Sequence, residues 1–340
     1  MSTRSWWVVL ALVAGCAAPP GTSGPRDPSR LAAAGPGSPP GSRPASFAGA
    51  TAFLPPNYEC ELFADYAAMR ELGLLDELER LPGMDDFLSA IGGSYFSELD
   101  QIDRTRTAMV FDWSGSRPTN REVSVAEGRD LHPPAEVPAG CARVHIGRFD
   151  AVQVTEGPTS RPTAIWPSSS IVVVGGHDLL EPVLRGERAG GVPHSDLLPL
   201  VPGNGILMQA VICSLHGRSR MPFDDAFFLL TGPGKDAAAD IEAGRLRLGA
   251  DSDERLNLSV TLRFVQGSTR VAAFAQGWRD QLAEWGRAAA PAVRKVLTDV
   301  SVRQDGRDVD IAIDLGTLRQ AITKVQNVAL AMMAAQSRRP

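Results

Sequence analysis

The strongest constraint on the fold is an alternation of apolar and polar residues in the second half of the chain. Every second position of one stretch is apolar: Leu256, Leu258, Val260, Leu262 and Phe264. Successive side chains of a β-strand point to opposite faces of the sheet, so this pattern predicts an antiparallel strand with one buried face. In a helix the same residues would be spread around the whole circumference.

A second alternation surrounds an Asp-Gly pair. Apolar residues precede and follow Asp305-Gly306, at Val300, Val302, Val309, Ile311 and Ile313. An Asp-Gly pair supplies the positive φ angles of a type I′ turn, so the sequence predicts a β-hairpin with this pair at its turn. Similar patterns predict strands at residues 58–63, 107–113, 123–126, 142–149, 171–174, 206–213 and 246–248.

Apolar residues with a period near 3.6 predict three amphipathic helices. The first carries Met69, Leu72, Leu75, Leu78 and Leu81, with Asp65 as its cap and Pro82-Gly83 at its end. The second carries Val271, Phe274, Trp278, Leu282 and Trp285. The third carries Leu318, Ile322, Val325 and Ala329, with Asp314 as its cap. Together with a short helix at residues 179–184, these elements predict an α+β fold in which curved antiparallel sheets are covered by amphipathic helices.

Composition divides the chain into segments. Residues 17–48 contain eight Pro, five Gly and five Ser. Such a segment buries too little apolar surface to offset its chain entropy, so residues 16–48 are predicted to be a disordered tether that reaches ~30–35 Å. Residues 49–190 and 191–335 are predicted to form two α+β halves of similar size, separated by a Pro/Gly-rich break at residues 190–203, and residues 336–340 form a tail.

The first sixteen residues have the three parts of a secretory leader. Arg4 precedes a short apolar run that is too short to span a bilayer, which requires ~20 residues. The run ends in Val13-Ala14-Gly15-Cys16. This sequence resembles the lipobox of bacterial lipoproteins, in which an aliphatic and two small residues precede the cysteine that receives lipid. The alternative is cleavage by the ordinary signal peptidase, because other small residues are close by.

The resemblance implies that residues 1–15 are removed and that Cys16 carries a diacylglyceryl thioether and a further acyl chain. Two lipid chains hold a protein stably on a membrane. The resemblance therefore implies an exported protein anchored through Cys16. Ala17, rather than Asp, follows the cysteine, which resembles the outer-membrane class facing the periplasm or the cell surface. The body resembles uncharacterised exported proteins, and no functional residue other than Cys16 is carried over.

Charge and cysteine content restrict the partners. The formal net charge is −5, and no Lys/Arg cluster is interleaved with aromatic residues, which argues against nucleic acid as a partner. Cys60, Cys141 and Cys213 lie in strand-like segments, so three structural thiols are favoured over one disulfide and a spare.

The motifs that would carry chemistry are incomplete. Thr231-Gly232-Pro233-Gly234-Lys235 lacks the first glycine of a phosphate loop, and Asp236 replaces the magnesium-binding hydroxyl, so a surface loop is predicted. The histidines lack the spacing of a zinc site. His177-Asp178 follows a predicted strand, but Asp178 is better interpreted as a helix cap beside an exposed His177. Trp278 and Trp285 are better interpreted as core residues than as the lining of a ligand groove.

Three functional hypotheses remain. The first is a membrane-anchored cell-envelope lipoprotein with a non-enzymatic binding or structural role and an envelope protein as partner. The second is a carrier of a lipid or another apolar ligand, enclosed between a curved sheet and helices. The third is an exported hydrolase, in which His177 or His216 would act with a serine and an acidic residue. The sequence favours the first and predicts no catalytic, cofactor-binding or metal-binding residue.

Overall fold

The described residues build one continuous antiparallel sheet of twelve strands. A computed structural model describes residues 50–55, 58–80, 97–112, 119–155, 162–185, 205–212, 240–289, 291–324 and 326. The strand order is β11-β12-β10-β9-β8-β1-β2-β3-β7-β6-β5-β4. The sheet is open and curled, and helices pack against it, which confirms the predicted α+β class.

The strands are β1 (Cys60–Asp65), β2 (Ile102–Asp112), β3 (Thr119–Gly128), β4 (Cys141–Ile146), β5 (Phe149–Val154), β6 (Pro162–Ser168), β7 (Ile171–Gly176), β8 (Ile206–Ile212), β9 (Ile241–Ala250), β10 (Leu256–Phe264), β11 (Val300–Asp305) and β12 (Asp308–Gly316). The helices are α1 (Tyr66–Glu71), α2 (Leu74–Glu79), α3 (His177–Leu184), α4 (Val271–Ala288) and α5 (Pro291–Thr298). Residues 318–324 are also helical, and two short 3₁₀ segments lie at Ala50–Phe53 and Leu99–Gln101.

Two groups of five strands follow the same path through the sheet. The first group runs β1-β2-β3-β7-β6 outward from the centre, and the second runs β8-β9-β10-β12-β11. The central strands β1 and β8 pair antiparallel to each other. The first group is extended at its edge by β4 and β5, which lie between β3 and β6 in the chain. In the second group, the helices α4 and α5 lie at the equivalent point of the chain, between β10 and β11.

The sheet has a front face and a back face, which are defined here by β1. Leu62 and Ala64 point to the front, and Phe63 points to the back, because alternate residues face opposite sides. The front face is mainly apolar, with a few polar side chains on β2 and β3, and it is covered by helices on both groups of strands. Its two clusters contain Ala64, Met69, Leu74 and Leu75 beside α1 and α2, and Leu262, Phe274, Trp278 and Val309 beside α4.

The back face changes character from one side of the sheet to the other. On the first group of strands it is apolar, and α3 and the segment 50–54 cover it. This cluster contains Leu54, Phe63, Ala108, Val123, Ile165, Val173 and Leu180. On the second group of strands most back-facing positions of β9, β10 and β12 are polar or charged, and these residues form the candidate site.

The first predicted helix is interrupted. Asp65 caps α1 as predicted, because its Oδ1 accepts a hydrogen bond of 2.8 Å from the Ala68 N–H. The helix then ends at Leu72, and Gly73 adopts a left-handed φ of 70° before α2 begins. The periodic pattern of apolar residues survives this break, which is why the sequence suggested one helix. Leu81 and Pro82-Gly83 lie outside the described residues.

Two turn positions differ from the prediction. Asp305 pairs with Asp308, so the turn of the β11-β12 hairpin contains Gly306 and Arg307, one residue later than expected. The predicted strand at residues 142–149 is a hairpin instead. Gly147, with a φ of 59°, turns the chain between β4 and β5.

The last two predicted helices have different outcomes. The helix α4 carries the predicted apolar stripe and packs it against the sheet, which confirms the second helix. The third helix starts at residue 318, and Asp314 is not its cap because it lies in β12 and pairs with Arg255. Instead, the Gln320 side chain accepts a 3.0 Å hydrogen bond from the Thr317 N–H. Val325 and Ala329 lie outside the described side chains.

Candidate functional site

A charged surface lies on the back of β9, β10 and β12. We call it the polar back face and define it by the residues Arg245, Arg247, Asn257, Ser259, Thr261, Arg263, Asp308 and Asp310. The strand register places these residues on one side of the sheet, as Arg245 lies opposite Thr261 and Thr261 opposite Asp310. The intervening residues of the same strands point to the apolar front face. The alternation that makes these strands therefore also makes the charged surface.

The first charged pair of this surface joins β10 to β12. The Arg263 guanidinium donates from Nε to Asp308 Oδ1 at 2.8 Å and from Nη2 to Oδ2 at 2.6 Å. Both side chains are 21% exposed. The hydrogen bonds to Asp308 raise the pKa of Arg263. Because the contact is bidentate, it also fixes the orientation of the guanidinium plane relative to the carboxylate plane.

A hydrogen-bonded chain crosses all three strands beside that pair. Arg245 Nη2 donates to Thr261 Oγ1 at 3.2 Å, and Thr261 Oγ1 donates to Asp310 Oδ1 at 2.6 Å. Thr261 is buried. Burial lowers the pKa of Arg245, and the negative charge of Asp310 acts in the opposite direction. The Thr261 hydroxyl therefore links the Arg245 guanidinium on β9 to the Asp310 carboxylate on β12, because it accepts a hydrogen bond from the first and donates one to the second.

Arg247 differs from the other two arginines. It lies between Gln209 of β8 and Ser259 of β10. Its Nε is shielded from solvent and has no hydrogen-bond partner. Its charge also acts unfavourably on neighbouring Arg245. Arg247 therefore has no carboxylate directly opposite it, although the same face also carries Asp314 opposite Asn257 and Arg303 opposite Asp310.

Buried ion pairs mark the border between the apolar and polar parts of the back face. Arg106 of β2 donates from Nε to the Glu61 carboxylate of β1, and Tyr58 donates to the other carboxylate oxygen at 2.9 Å. Arg104 and Asp65 form a parallel pair at 3.2 Å. Burial, followed by the charge of Glu61, raises the pKa of the Tyr58 phenol. Because their partners satisfy them, these groups belong to the scaffold of the sheet.

The histidine–aspartate pair singled out in the sequence is arranged differently from the prediction. Gly176 is the N-cap of α3 and His177 is its first residue, so Asp178 is not the cap. Asp178 lies in the first helical turn and pairs with Arg121 at 2.5 Å. His177 is partly buried rather than exposed, and its Nε2 is 3.7 Å from Glu181 Oε2.

The three consecutive serines at residues 168–170 lie far from His177. Ser168 is the last residue of β6, and Ser169 and Ser170 form the turn to β7, whereas His177 follows the other end of β7. A six-residue strand is about 20 Å long, so these groups are not within hydrogen-bond distance. The histidine His216 and the loop at residues 231–236 lie outside the described residues.

The described cysteines are free thiols, and the two tryptophans of α4 pack in the core. Cys60 and Cys141 are thiols, and burial raises the pKa of Cys141. Cys213 lies outside the described residues, as does Cys16. Trp278 is 6% exposed and meets Trp285 edge to face at 6.1 Å between ring centroids, which confirms that these rings belong to the core.

The polar back face was not identified from the sequence, although part of its signal was present. Arg245 and Arg247 alternate with Leu246 and Leu248, so their shared direction could be read from the sequence. Which strands are neighbours, and therefore which aspartate pairs with which arginine, depends on contacts that are distant in the chain.

In the part of the chain that the structure covers, no group of three or more His, Cys, Asp or Glu side chains converges as metal ligands would. None of the helices within the described ranges combines the length and hydropathy needed to cross a bilayer. Comparison with protein-family models, with curated proteins and with solved structures found no match to this chain.

Proposed function

We propose that this chain is a lipid-anchored protein of the bacterial cell envelope, which binds a partner through its polar back face without a catalytic step. The anchor is Cys16, and the tether at residues 16–48 holds the body near the membrane surface. The proposal places the protein outside the cytoplasm, at the outer membrane.

The polar back face is the observation that supports a binding role. Arg245, Thr261, Arg263 and their aspartates are held by cross-strand hydrogen bonds, so the surface is rigid before any partner arrives. A preorganised polar surface loses little conformational entropy on binding. It also lies on a sheet rather than on a loop, which fixes the spacing between its charges.

The anchor is tested by labelling growing cells with a radioactive fatty acid. The mature wild-type protein should carry the label and sediment with the membranes. A Cys16→Ser variant should lose both the label and the membrane association. A label that persists in this variant would contradict the anchor, and unlabelled wild-type protein with an N-terminus downstream of Cys16 would do the same.

The binding role is tested separately by photo-crosslinking in intact cells. A benzoylphenylalanine at Asn257, which is exposed on the polar back face, should give a discrete adduct with an envelope component. The same residue at Ala272, exposed on α4, is the matched control and should give none. Equal adducts at both positions, or none at Asn257, would contradict binding through this face.

A further inference from the structure

The helical hairpin formed by α4 and α5 carries cations that no carboxylate neutralises. Ion pairs with carboxylates hold many arginines elsewhere in the described chain. Between residues 281 and 298 the sequence contains three cations and a single acidic residue, Glu284. The cations Arg287, Arg294 and Lys295 are exposed and form no ion pair with any described residue. This segment is therefore positive in a chain whose formal net charge is −5.

Backbone carbonyl groups position two of these cations without cancelling their charge. Arg287 Nε donates to the Ala283 carbonyl oxygen at 3.4 Å, and Arg294 Nη2 donates to the Ala289 carbonyl oxygen at 3.3 Å. Both carbonyl groups belong to the C-terminal end of α4, about 9 Å apart along the helix axis. The helix dipole places only about half of one negative charge at this end. An excess of positive charge therefore remains at the end of the hairpin.

The helix α5 is amphipathic, and its outer face carries two of the cations. Pro291, Arg294 and Lys295 are three or four residues apart, so they share one side of the helix, and all three are exposed. Val296 and Leu297 lie on the other side and are buried, at 8% exposure each. Because α5 packs against α4 and β11, the burial of these two side chains turns the cations outward.

Apolar groups lie beside these cations. Trp285, in the last turn of α4, is half-buried and meets Trp278 edge to face. Val293 of α5 is also half-buried, and Pro291 is exposed. Basic residues next to an indole ring and exposed apolar groups are typical of helices that lie in the membrane interface. The composition of the hairpin therefore favours a bilayer surface over an acidic protein as its partner.

We propose that the α4–α5 hairpin binds the surface of a bilayer that contains anionic phospholipid, through Arg287, Arg294 and Lys295. Each cation held at such a surface raises the affinity by a factor of about five. This inference rests on the proposed function, because the lipid anchor brings the body to a bilayer. A tether that reaches ~30–35 Å keeps the hairpin at a high effective concentration near the lipid, so a weak contact is sufficient.

This contact would orient the body on the membrane. The helix α4 packs on the front face of the second group of strands, with Phe274 and Trp278 against Leu262 and Val309. The polar back face lies on the opposite side of the same strands. With α4 and α5 on the bilayer, the polar back face is turned away from the lipid and is accessible to a partner.

The test is vesicle flotation of the mature chain, residues 16–340, with Cys16→Ser. In this protein neither the leader nor an acyl chain can bind the vesicles. It should float with vesicles of equal parts phosphatidylglycerol and phosphatidylcholine, but not with vesicles of phosphatidylcholine alone. The bound fraction should fall as the salt concentration rises, because salt screens the attraction between exposed charges. No flotation with the anionic vesicles would overturn the inference.

Two double variants locate the contact. Arg294→Gln combined with Lys295→Gln should weaken binding to the anionic vesicles about thirtyfold, because two cations are lost. Arg143→Gln combined with Arg148→Gln is the matched control. It removes the same charge from exposed positions of the β4–β5 hairpin, at the opposite edge of the sheet, and should keep the parent's affinity. An equal loss of affinity in both double variants would overturn the assignment to α4 and α5.

A third variant should strengthen the binding, so a folding defect cannot imitate its effect. Glu284→Gln removes the acidic residue of this segment and should raise the affinity for the anionic vesicles about fivefold. Unchanged or weaker binding of Glu284→Gln would contradict an electrostatic contact at this hairpin.

Hydrogen exchange shows which surface meets the lipid. Peptides that cover residues 285–298 should exchange more slowly when the anionic vesicles are added, whereas peptides that cover residues 141–150 should be unaffected. Slower exchange in the polar back face instead would overturn the inference. Because the tested protein lacks Cys16 and no crosslinker is used, the fatty-acid label and the crosslink at Asn257 remain separate readouts of the proposed function.

Discussion

Single polar residues inside this sheet are stabilised by partners in most positions, and Glu122 is an exception. It points to the front face of β3, opposite the fully buried Met109. No described residue donates a hydrogen bond to its carboxylate. Burial raises the pKa of Glu122 to about 7. The folded protein therefore favours the protonated, neutral form of this side chain.

This burial makes the stability depend on pH. Between the ordinary carboxyl pKa of 4.5 and the raised value of about 7, the folded state binds more protons at Glu122 than the unfolded state does. The stability that Glu122 contributes is thus fully present below pH 4.5 and is lost as the pH rises to about 7. A neutral residue at this position would not show that loss.

We expect Glu122→Gln to stabilise the protein at pH 8 by up to about 3 kcal/mol and to have little effect at pH 4. Urea unfolding of both proteins at several pH values measures the difference. Glu136→Gln, at an exposed position, should change the free energy of unfolding by less than about 0.5 kcal/mol throughout. A Glu122→Gln effect that does not grow with pH would contradict the burial argument.

At the scale of elements, a glycine decides where α1 ends. Gly73 has a φ of 70°, and a Cβ atom there would meet only Leu318 Cδ2, at 3.9 Å. Space is therefore available, and the strain of a side chain at this position comes from the backbone. Gly286 is the opposite case, because it lies inside α4 with open space around it.

We expect Gly73→Ala to destabilise the protein by about 1 kcal/mol, since alanine is strained in the left-handed region. Gly286→Ala should stabilise it by about 0.5–1 kcal/mol, because alanine favours a helix interior. Thermal unfolding of the two variants measures both effects. Shifts of the same sign would show that the break between α1 and α2 is not held by the conformation of Gly73.

The elements show what the sequence could and could not reveal. The alternation at residues 256–264 reproduces β10 to the residue, since one face of this strand is apolar and the other polar. The strand β6 was missed, because its buried residues Thr163, Ala164 and Ile165 are consecutive and show no alternation. The break at Gly73 was missed because apolar spacing continues across it. The arginine–aspartate pairs were missed because they join β9, β10 and β12 through non-local registers.

At the scale of the whole molecule, the two groups of strands share one sheet. The strands β1 and β8 pair along five residues of register, from Cys60 with Ile212 to Ala64 with Met208. All six residues of β1 are buried. Leu207 of β8 belongs to the same apolar cluster as Ala64 of β1 and Val172 of β7. Neither group of strands can therefore expose its central edge without opening a core that both groups share.

We expect the two groups to unfold as one cooperative unit. Ile165 and Leu262 are both fully buried. The Ile165 side chain of β6 lies on the back face of the sheet, and the Leu262 side chain of β10 lies on the front face. Ile165→Val should destabilise the protein by about 1 kcal/mol and Leu262→Ala by about 2–5 kcal/mol. If unfolding is cooperative, each variant should lower the hydrogen-exchange protection of peptides from both groups by the same free energy.

The informative peptides are those covering residues 123–126 of β3 and 258–262 of β10, which lie on opposite sides of the β1–β8 pair. Loss of protection confined to the mutated side would mean that the two groups of strands unfold independently, with the β1–β8 pair as the boundary between them. The pH should be held constant in this comparison, because Glu122 lies on the first group and would shift its stability separately. Equal losses of protection on both sides would instead show that a substitution in the core of one group destabilises both groups. The stability of the polar back face on β9, β10 and β12 would then depend on the packing of strands such as β6, with which it makes no contact.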